Sequence, residues 1–252
     1  SDEKYFGLSE SFRCKRAAVW VWGIGSASLL RMADVKQEIL NNPISKDNLM
    51  IEHIRLCAGL KQVPQCIELT KGLPSIQDVQ QSYLRLRTLC SPVSDRELMT
   101  QDEKFYAQLE KSCWLFYVSL CLKTANECAA HLLNDDSVVL QENEGRDMSC
   151  VISSVIQVLL DPFYRTINGF QVLIQKEWIA LGHPFSDRMG HVYNKNTEKS
   201  PLFLLFLDCT WQVLQQFPEA FEFSETFLST LWDSVFMPIF DTFQFNSEYD
   251  RQ

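Results

Sequence analysis

In the stretch SVVLQENEGRDMSC, residues 137–150, a short apolar run, Val138-Val139-Leu140, reads as a buried strand. A tight polar turn containing Gly145 follows, and Met148-Ser149-Cys150-Val151-Ile152 opens an apolar run to Leu160 that suits a buried helix. Strand, glycine-containing loop and helix N-terminus together make an anion cradle, because several backbone N–H groups converge there. Yet the loop carries three carboxylates, Glu142, Glu144 and Asp147, and no nucleophile.

The rest of the chain narrows what such a loop can serve. Its 252 residues can bury a real core, and 23 basic against 32 acidic residues leave a net charge of −9. That balance argues against a nucleic-acid partner and against a general electrostatic grip on anionic membranes. Nine cysteines, an odd number without a Cys-x-x-Cys pair, read as free thiols in a reducing compartment. His53, His131, His183 and His191 fall in no zinc spacing, so neither a metal nor a cofactor is expected. Trp114–Leu122, Val151–Leu160 and Leu202–Leu207, the most apolar runs, are far short of the roughly 20 residues of a membrane span. The expectation is a cytoplasmic protein.

Upstream, AAVWVW (17–22) and SLLRMA (28–33) flank GIGSA, a hairpin composition. Breakers at Asn41–Pro43 and Pro64 precede QCIEL (65–69), a further strand, and Ser75 starts a helix with Ile76, Val79, Tyr83 and Leu86 on one face. From Asp102 to about Leu133 the apolar residues approximate a 3.6-residue repeat, broken near Ser112-Cys113. Downstream, LDPFYRTINGF (160–170) reads as a turn and about Phe170–Leu181 as a helix. A polar surface loop is expected from Asp187 to Lys199. Ser200-Pro201 reads as an N-cap with proline at the first helical position. Ser224 reads as the cap of the last clear helix, with Phe227, Leu228, Leu231, Trp232, Val235 and Phe236 facing inward until Pro238. No repeat or linker divides residues 1–252, so the expectation is one α/β domain with a small sheet and a heavily helical second half.

LDPFYRTINGFQVLIQKEWIALGHPF (160–185) and SPLFLLFLDCTWQVLQQFPEAFEFSETFL (200–228) resemble the myotubularin-related phosphoinositide phosphatases. SFRCKRAAVWVW and LEKSCWLFYVSLCLKTA are fainter matches to an early strand and to the helix before the phosphate loop. The resemblance implies the fold of cysteine-dependent, tyrosine- and dual-specificity-like phosphatases, a small mixed sheet flanked by many helices. Active members carry His-Cys-Ser-Asp-Gly-Trp-Asp-Arg-Thr on the loop and remove the 3-phosphate from phosphatidylinositol 3-phosphate and 3,5-bisphosphate. Counting back from LDPFYRT places Gln141 at the histidine and Glu142 at the cysteine nucleophile. Asn143, Glu144, Gly145, Arg146 and Asp147 follow, and Met148 falls at the phosphate-binding arginine.

That chemistry needs a thiolate to attack phosphorus and a guanidinium fork six residues on to hold the phosphoryl oxygens. Glu142 and Met148 supply neither. A helix N-terminus favours an anion by about 0.3–2 kcal/mol, whereas two like charges about 4 Å apart repel by about 4 kcal/mol at an effective dielectric of 20. With Glu142, Glu144 and Asp147 against Arg146 alone the loop has formal charge −2, so the expectation is that Glu142 itself fills the cradle. The segment HIRLCAGLKQVPQCIEL also lacks the family's glycine-rich run. The resemblance is to the inactive branch, which includes the 3-phosphatase adapter protein and myotubularin-related proteins ten to twelve. It implies a pseudophosphatase that partners an active myotubularin, with peripheral, indirect association with phosphoinositide-bearing endosomal membranes. It also implies that the start of the catalytic domain, a PH-GRAM domain and a coiled coil lie outside this chain.

Other motifs take plainer readings. CSPVSDR (90–96) has cysteine and arginine at phosphatase spacing, but it follows a helix, lacks glycine, and loses a backbone donor at Pro92. Cys150 reads as a small core residue, Asp147, at the family's proposed general acid, as structural, and Arg165 and Lys176-Glu177-Trp178 as packing and pairing groups.

Overall fold

Four short runs rich in apolar residues build the sheet that carries the loop. In the computed structural model, which describes residues 16–34, 54–56, 59–92, 94, 99, 102–191, 197–239 and 241–251, the strands are β1 (Val19–Ile24), β2 (Ala27–Ala33), β3 (Gln65–Glu68) and β4 (Val138–Glu142). Their order is β1-β2-β4-β3, with β1 antiparallel to β2 and β4 parallel to both its neighbours. The fold is thus mixed α/β with a small sheet and many helices. β4 lies at its centre. Its pleat sends Val138 and Leu140 to the main core and Val139, with Leu30 and Met32 of β2, to a smaller cluster on the other face.

The helices follow as α1 (Ile76–Cys90), α2 (Phe105–Ser112), α3 (Trp114–Leu133), α4 (Met148–Leu160), α5 (Ile167–Ile174), α6 (Phe185–Met189), α7 (Leu202–Gln216), α8 (Glu225–Ser234) and α9 (Glu248–Arg251). Ser75 opens α1 through a capping box with Asp78. Cys113, at φ +62°, separates α2 from α3 where the sequence placed a break. α4 is the central helix, buried from Met148 to Val158, and it packs against α3 and α7. Enclosed along its length, the helix holds its N-terminus at the end of β4. Among the described residues no helix is long and apolar enough to cross a membrane, and the seven described cysteines are free thiols.

Several sequence expectations shift. The helix expected from Phe170 begins at Ile167, because Thr166 accepts the Gly169 N–H as its N-cap, and it passes into a π-helical turn at Gln175–Ala180. The polar loop expected from Asp187 to Lys199 is in its first part helical: α6 holds Asp187–Met189 and buries Arg188. The N-cap of α7 is Pro201 and not Ser200, whose hydroxyl is buried without a hydrogen-bond partner among the described residues. On α8, Leu228 is buried and Val235 just after it, but Phe227, Leu231 and Trp232 are half-buried and Phe236 is 51% exposed. The turn at Asn41–Pro43, His53, Cys14, Cys57, and Val93, Asp95 and Arg96 of the CSPVSDR motif lie outside the described residues, as does part of HIRLCAGLKQVPQCIEL.

Candidate functional site: a carboxylate in the phosphate cradle

Glu142 is the last residue of β4, and the two-residue period that turns Val138 and Leu140 toward α4 turns its side chain the same way. The chain then reverses through 143–147 and enters α4 at Met148. Gly145 makes the reversal possible. Its φ is +66°, and an added Cβ would stand 3.0 Å from the backbone of Met32 and Ala33 on β2.

The side chain of Glu142 therefore ends at the N-terminus of α4. The N–H groups of Asp147 and Ser149 donate to its Oε2 at 3.2 and 2.9 Å, and that of Met148 to its Oε1 at 2.6 Å. These are the first donors of the helix, which no intrahelical acceptor can satisfy. A phosphoryl group bound there would use the same donors. The cradle is built, and it is filled. Burial and the charge of Asp147 push the Glu142 carboxyl above the usual carboxylate range, while the converging N–H groups pull it back down.

Asp147 is held apart from Glu142 by a guanidinium that the sequence reading did not foresee. Arg188 of α6 donates from Nε to Oδ1 and from Nη2 to Oδ2, both at 2.8 Å, and its Nη1 donates to the Glu198 carbonyl at 2.9 Å. Burial alone would raise Asp147, but this fork, with His183 and Arg146 nearby, holds it below the usual range. Arg146 pairs with Glu144, so the loop's formal charge with Arg188 included is −1 and not the −2 expected from residues 142–147 alone. Among the described residues, the one loop carboxylate left without a cation of its own is Glu142, which has the amides instead.

Two more buried groups support the loop from below. Arg31 of β2 donates through Nη2 to the Gly145 carbonyl at 3.0 Å, to Ser149 Oγ at 3.1 Å and to Cys150 Sγ at 3.0 Å, and its Nη1 pairs with Glu177 at 2.8 Å. The guanidinium thus stands beneath the loop and not at its mouth. His183 Nδ1 donates to the Arg146 carbonyl at 2.9 Å, with its ring edge-on to Trp178 and Phe185. Burial lowers its pKa to about 4, against the opposing pull of Asp147, so the ring is neutral.

The remaining sequence-named residues take structural places. Gln141 accepts from Cys66 Sγ across the sheet, Asn143 is exposed, and the buried Met148 sets its Sδ 4.0 Å from Cys121 of α3. Cys150 is fully buried, its thiol pushed up to about 12 chiefly by burial, although Arg31 opposes this. Glu177, Lys176 and Trp178 bond to Arg31, to Gln157 and Tyr164, and to Ser154 respectively, and Arg165 caps the carbonyls of Val158 and Leu159. Cys90 lies exposed at the C-terminal end of α1, away from any helix N-terminus that could hold a phosphoryl group. Among the described residues no three His, Cys, Asp or Glu side chains gather as metal ligands.

In front of the loop is a cleft of about 390 Å³, lined in part by Asp78, Glu142, Glu144, Asp147 and Glu198 and, as the one cation among the described residues, by Arg188. Arg188 is already committed to Asp147, so a phosphate entering the cleft would meet carboxylates on most sides.

A profile of the myotubularin-like phosphatase domain matches residues 56–252. The chain is 41% identical to myotubularin-related protein 10-B of Xenopus laevis, over 100% of the chain and 32% of that protein. It is 44% identical to human myotubularin-related protein 10, over 97% of the chain and 31% of that protein. To myotubularin-related protein 12 of Danio rerio it is 46% identical, over 73% of the chain and 25% of that protein. The chain spans about a third or less of the length of these curated relatives. The small mixed sheet and its helices agree with the family match, and the chain belongs to the myotubularin-like phosphatase domain family, with relatives among myotubularin-related proteins 10 and 12.

Proposed function

We propose that this chain is a pseudophosphatase domain, without turnover of its own, that acts as an adapter or regulatory subunit of an active myotubularin. One observation carries the reading: the Glu142 carboxylate occupies the N–H donors that would hold a phosphoryl group. Glu142 and Met148 stand where the resemblance places nucleophile and phosphate-binding arginine, so the attacking thiolate and the guanidinium fork are absent together. Such a domain keeps the surface and rigidity of the fold, and what a rigid surface offers without chemistry is recognition. The partner on this reading is a catalytically competent member of the same family. The place of action is the cytoplasm, with endosomal membranes reached through that partner.

A non-hydrolysing phosphoinositide site at the same cleft is disfavoured by Asp78, Glu144 and Glu198 on its walls. The test is phosphate release from phosphatidylinositol 3-phosphate by the purified chain and its Cys90→Ser form, followed by co-sedimentation with active myotubularins. No release from either protein, with a stable complex, is the expected result. Release abolished by Cys90→Ser would overturn the reading and make CSPVSDR the active loop.

A further inference from the structure

We infer that a second pocket, between α7 and α8 and lined by residues unrelated to the cradle, receives a basic side chain from a partner protein. The pocket has a volume of about 510 Å³. Its apolar floor includes Leu207 and Leu228, its walls include the indoles of Trp211 and Trp232, and its charged groups are Asp208 and Glu225. Both tryptophans are half-buried, which leaves part of each indole accessible.

The occupant follows from the chemistry of the lining. Its polar groups are two indoles, two carboxylates and the hydroxyls of Thr226 and Ser229, and among the described residues no Lys, Arg or His lines it. An indole face attracts a cation through its quadrupole, and tryptophan does so better than other aromatic side chains. The alkyl stem of lysine or arginine covers apolar surface while its charged head seeks an acceptor. Stem on leucine, head between indole and carboxylate, is the arrangement these residues fit. An acidic or neutral side chain would meet like charge or leave the carboxylates unanswered.

The carboxylates are also held in place. Trp114 Nε1 donates to Asp208 Oδ2 at 2.6 Å, and Gln212 Nε2 to its Oδ1 at 3.3 Å. Trp211 Nε1 donates to Glu225 Oε2 at 3.2 Å. An indole N–H takes one lone pair of a carboxylate that has about four, so each retains acceptor capacity. Among the described residues neither is in an ion pair. The fixed geometry lowers the entropy lost on binding.

The experiment titrates the isotopically labelled chain with short capped peptides of three arginines, three lysines, three glutamines or three glutamates, and follows the indole N–H signals of Trp211 and Trp232. Saturable shifts at both indoles with the basic peptides, weakening with added salt, are expected. Trp232→Leu, at a half-buried position, is expected to weaken binding about fivefold, the scale of one cation–π contact. The exposed Glu225→Gln provides a second variant should Trp232→Leu fail to fold, and it should weaken binding by a similar factor. A larger effect with arginine than lysine would assign a guanidinium as the occupant, and the reverse an ammonium. Equal shifts with the glutamine peptide, no shift with either basic peptide, or binding undiminished by Glu225→Gln would each overturn the assignment. None of these outcomes bears on catalysis, so the inference and the pseudophosphatase reading stand or fall separately.

Discussion

Replacing Glu142 with alanine removes the acceptor from the N–H groups of Asp147, Met148 and Ser149 at once. Hydrogen bonds to a charged group contribute about 1.5–3 kcal/mol each, and a buried donor left unpaired costs about 1–3 kcal/mol. Set against this are the cost of burying the carboxylate, several kcal/mol for an isolated ion, and its repulsion by Asp147. Water entering from the adjoining cleft of about 390 Å³ would satisfy part of the vacated cradle. A net loss of about 2–3 kcal/mol results, which for a chain of this size lowers Tm by about 4–12 °C. Glu142→Gln keeps one acceptor oxygen but turns an NH2 toward the N–H groups, and should fall between the two. Thermal and denaturant unfolding measure the loss, and hydrogen exchange at residues 147–149 shows whether it originates at the cradle. Unchanged Tm and unchanged protection in Glu142→Ala would refute the reasoning, and so would a stabilised variant, since then the buried carboxylate would be a net burden.

Four further outcomes are expected. His183 has a folded pKa of about 4 against 6.5, so the unfolded chain takes up the proton first and stability falls as pH drops through the interval from 6.5 to 4. The loss is about 2 kcal/mol by pH 5. Glu142, raised by burial, acts in the opposite sense just above its unfolded value of 4.5, so the His183 contribution is read as the difference in unfolding free energy between wild type and His183→Asn from pH 7 to 5. Asp147→Asn leaves the Arg188 guanidinium without its fork and should cost about 3 kcal/mol in denaturant titrations; a wild-type midpoint would show the pair to be dispensable. Gly145→Ala, at φ +66° against β2, should cost about 2 kcal/mol or more, and an unaffected Tm would mean that the loop can relax away from the sheet. Glu142→Cys combined with Met148→Arg should recover saturable tungstate binding without measurable turnover, because Asp78, Glu144 and Glu198 still line the cleft; efficient phosphate release would show those carboxylates to be harmless.

What the sequence made legible was local. Alternation and apolar runs placed β1, β2, β3, β4 and α4, and the family register that puts Glu142 at the nucleophile position, with the loop's excess of carboxylates, foretold its carboxylate at the helix N-terminus. Arg188 stayed hidden because its partner lies 41 residues away, and pairing over such a distance leaves no periodic trace. The sign of a helix was nonetheless there: PFSDRMG ends on a glycine in the left-handed region at Gly190, a helix C-terminal signal. His183 was legible only as a histidine in no zinc spacing, since one imidazole between Gly182 and Pro184 gives no hint that Trp178 and Phe185 enclose it. Arg31 drew no sequence reading of its own within SLLRMA. Only the meeting of β2, the π turn and α4 makes it the buried support of the loop. Phe236 erred the other way, because helical spacing extended past Ser234 assigns a face where α8 has already ended.

The most direct test of the filled cradle is a titration of the isotopically labelled chain with tungstate, a tetrahedral oxyanion, while observing the backbone N–H signals of Asp147, Met148 and Ser149. The account predicts no saturable shift in the wild-type chain at millimolar tungstate and a saturable shift once Glu142 is replaced by glycine. A saturable shift of these signals in the wild-type chain would show that the cradle is open to phosphate-like anions, and would contradict the account at its centre.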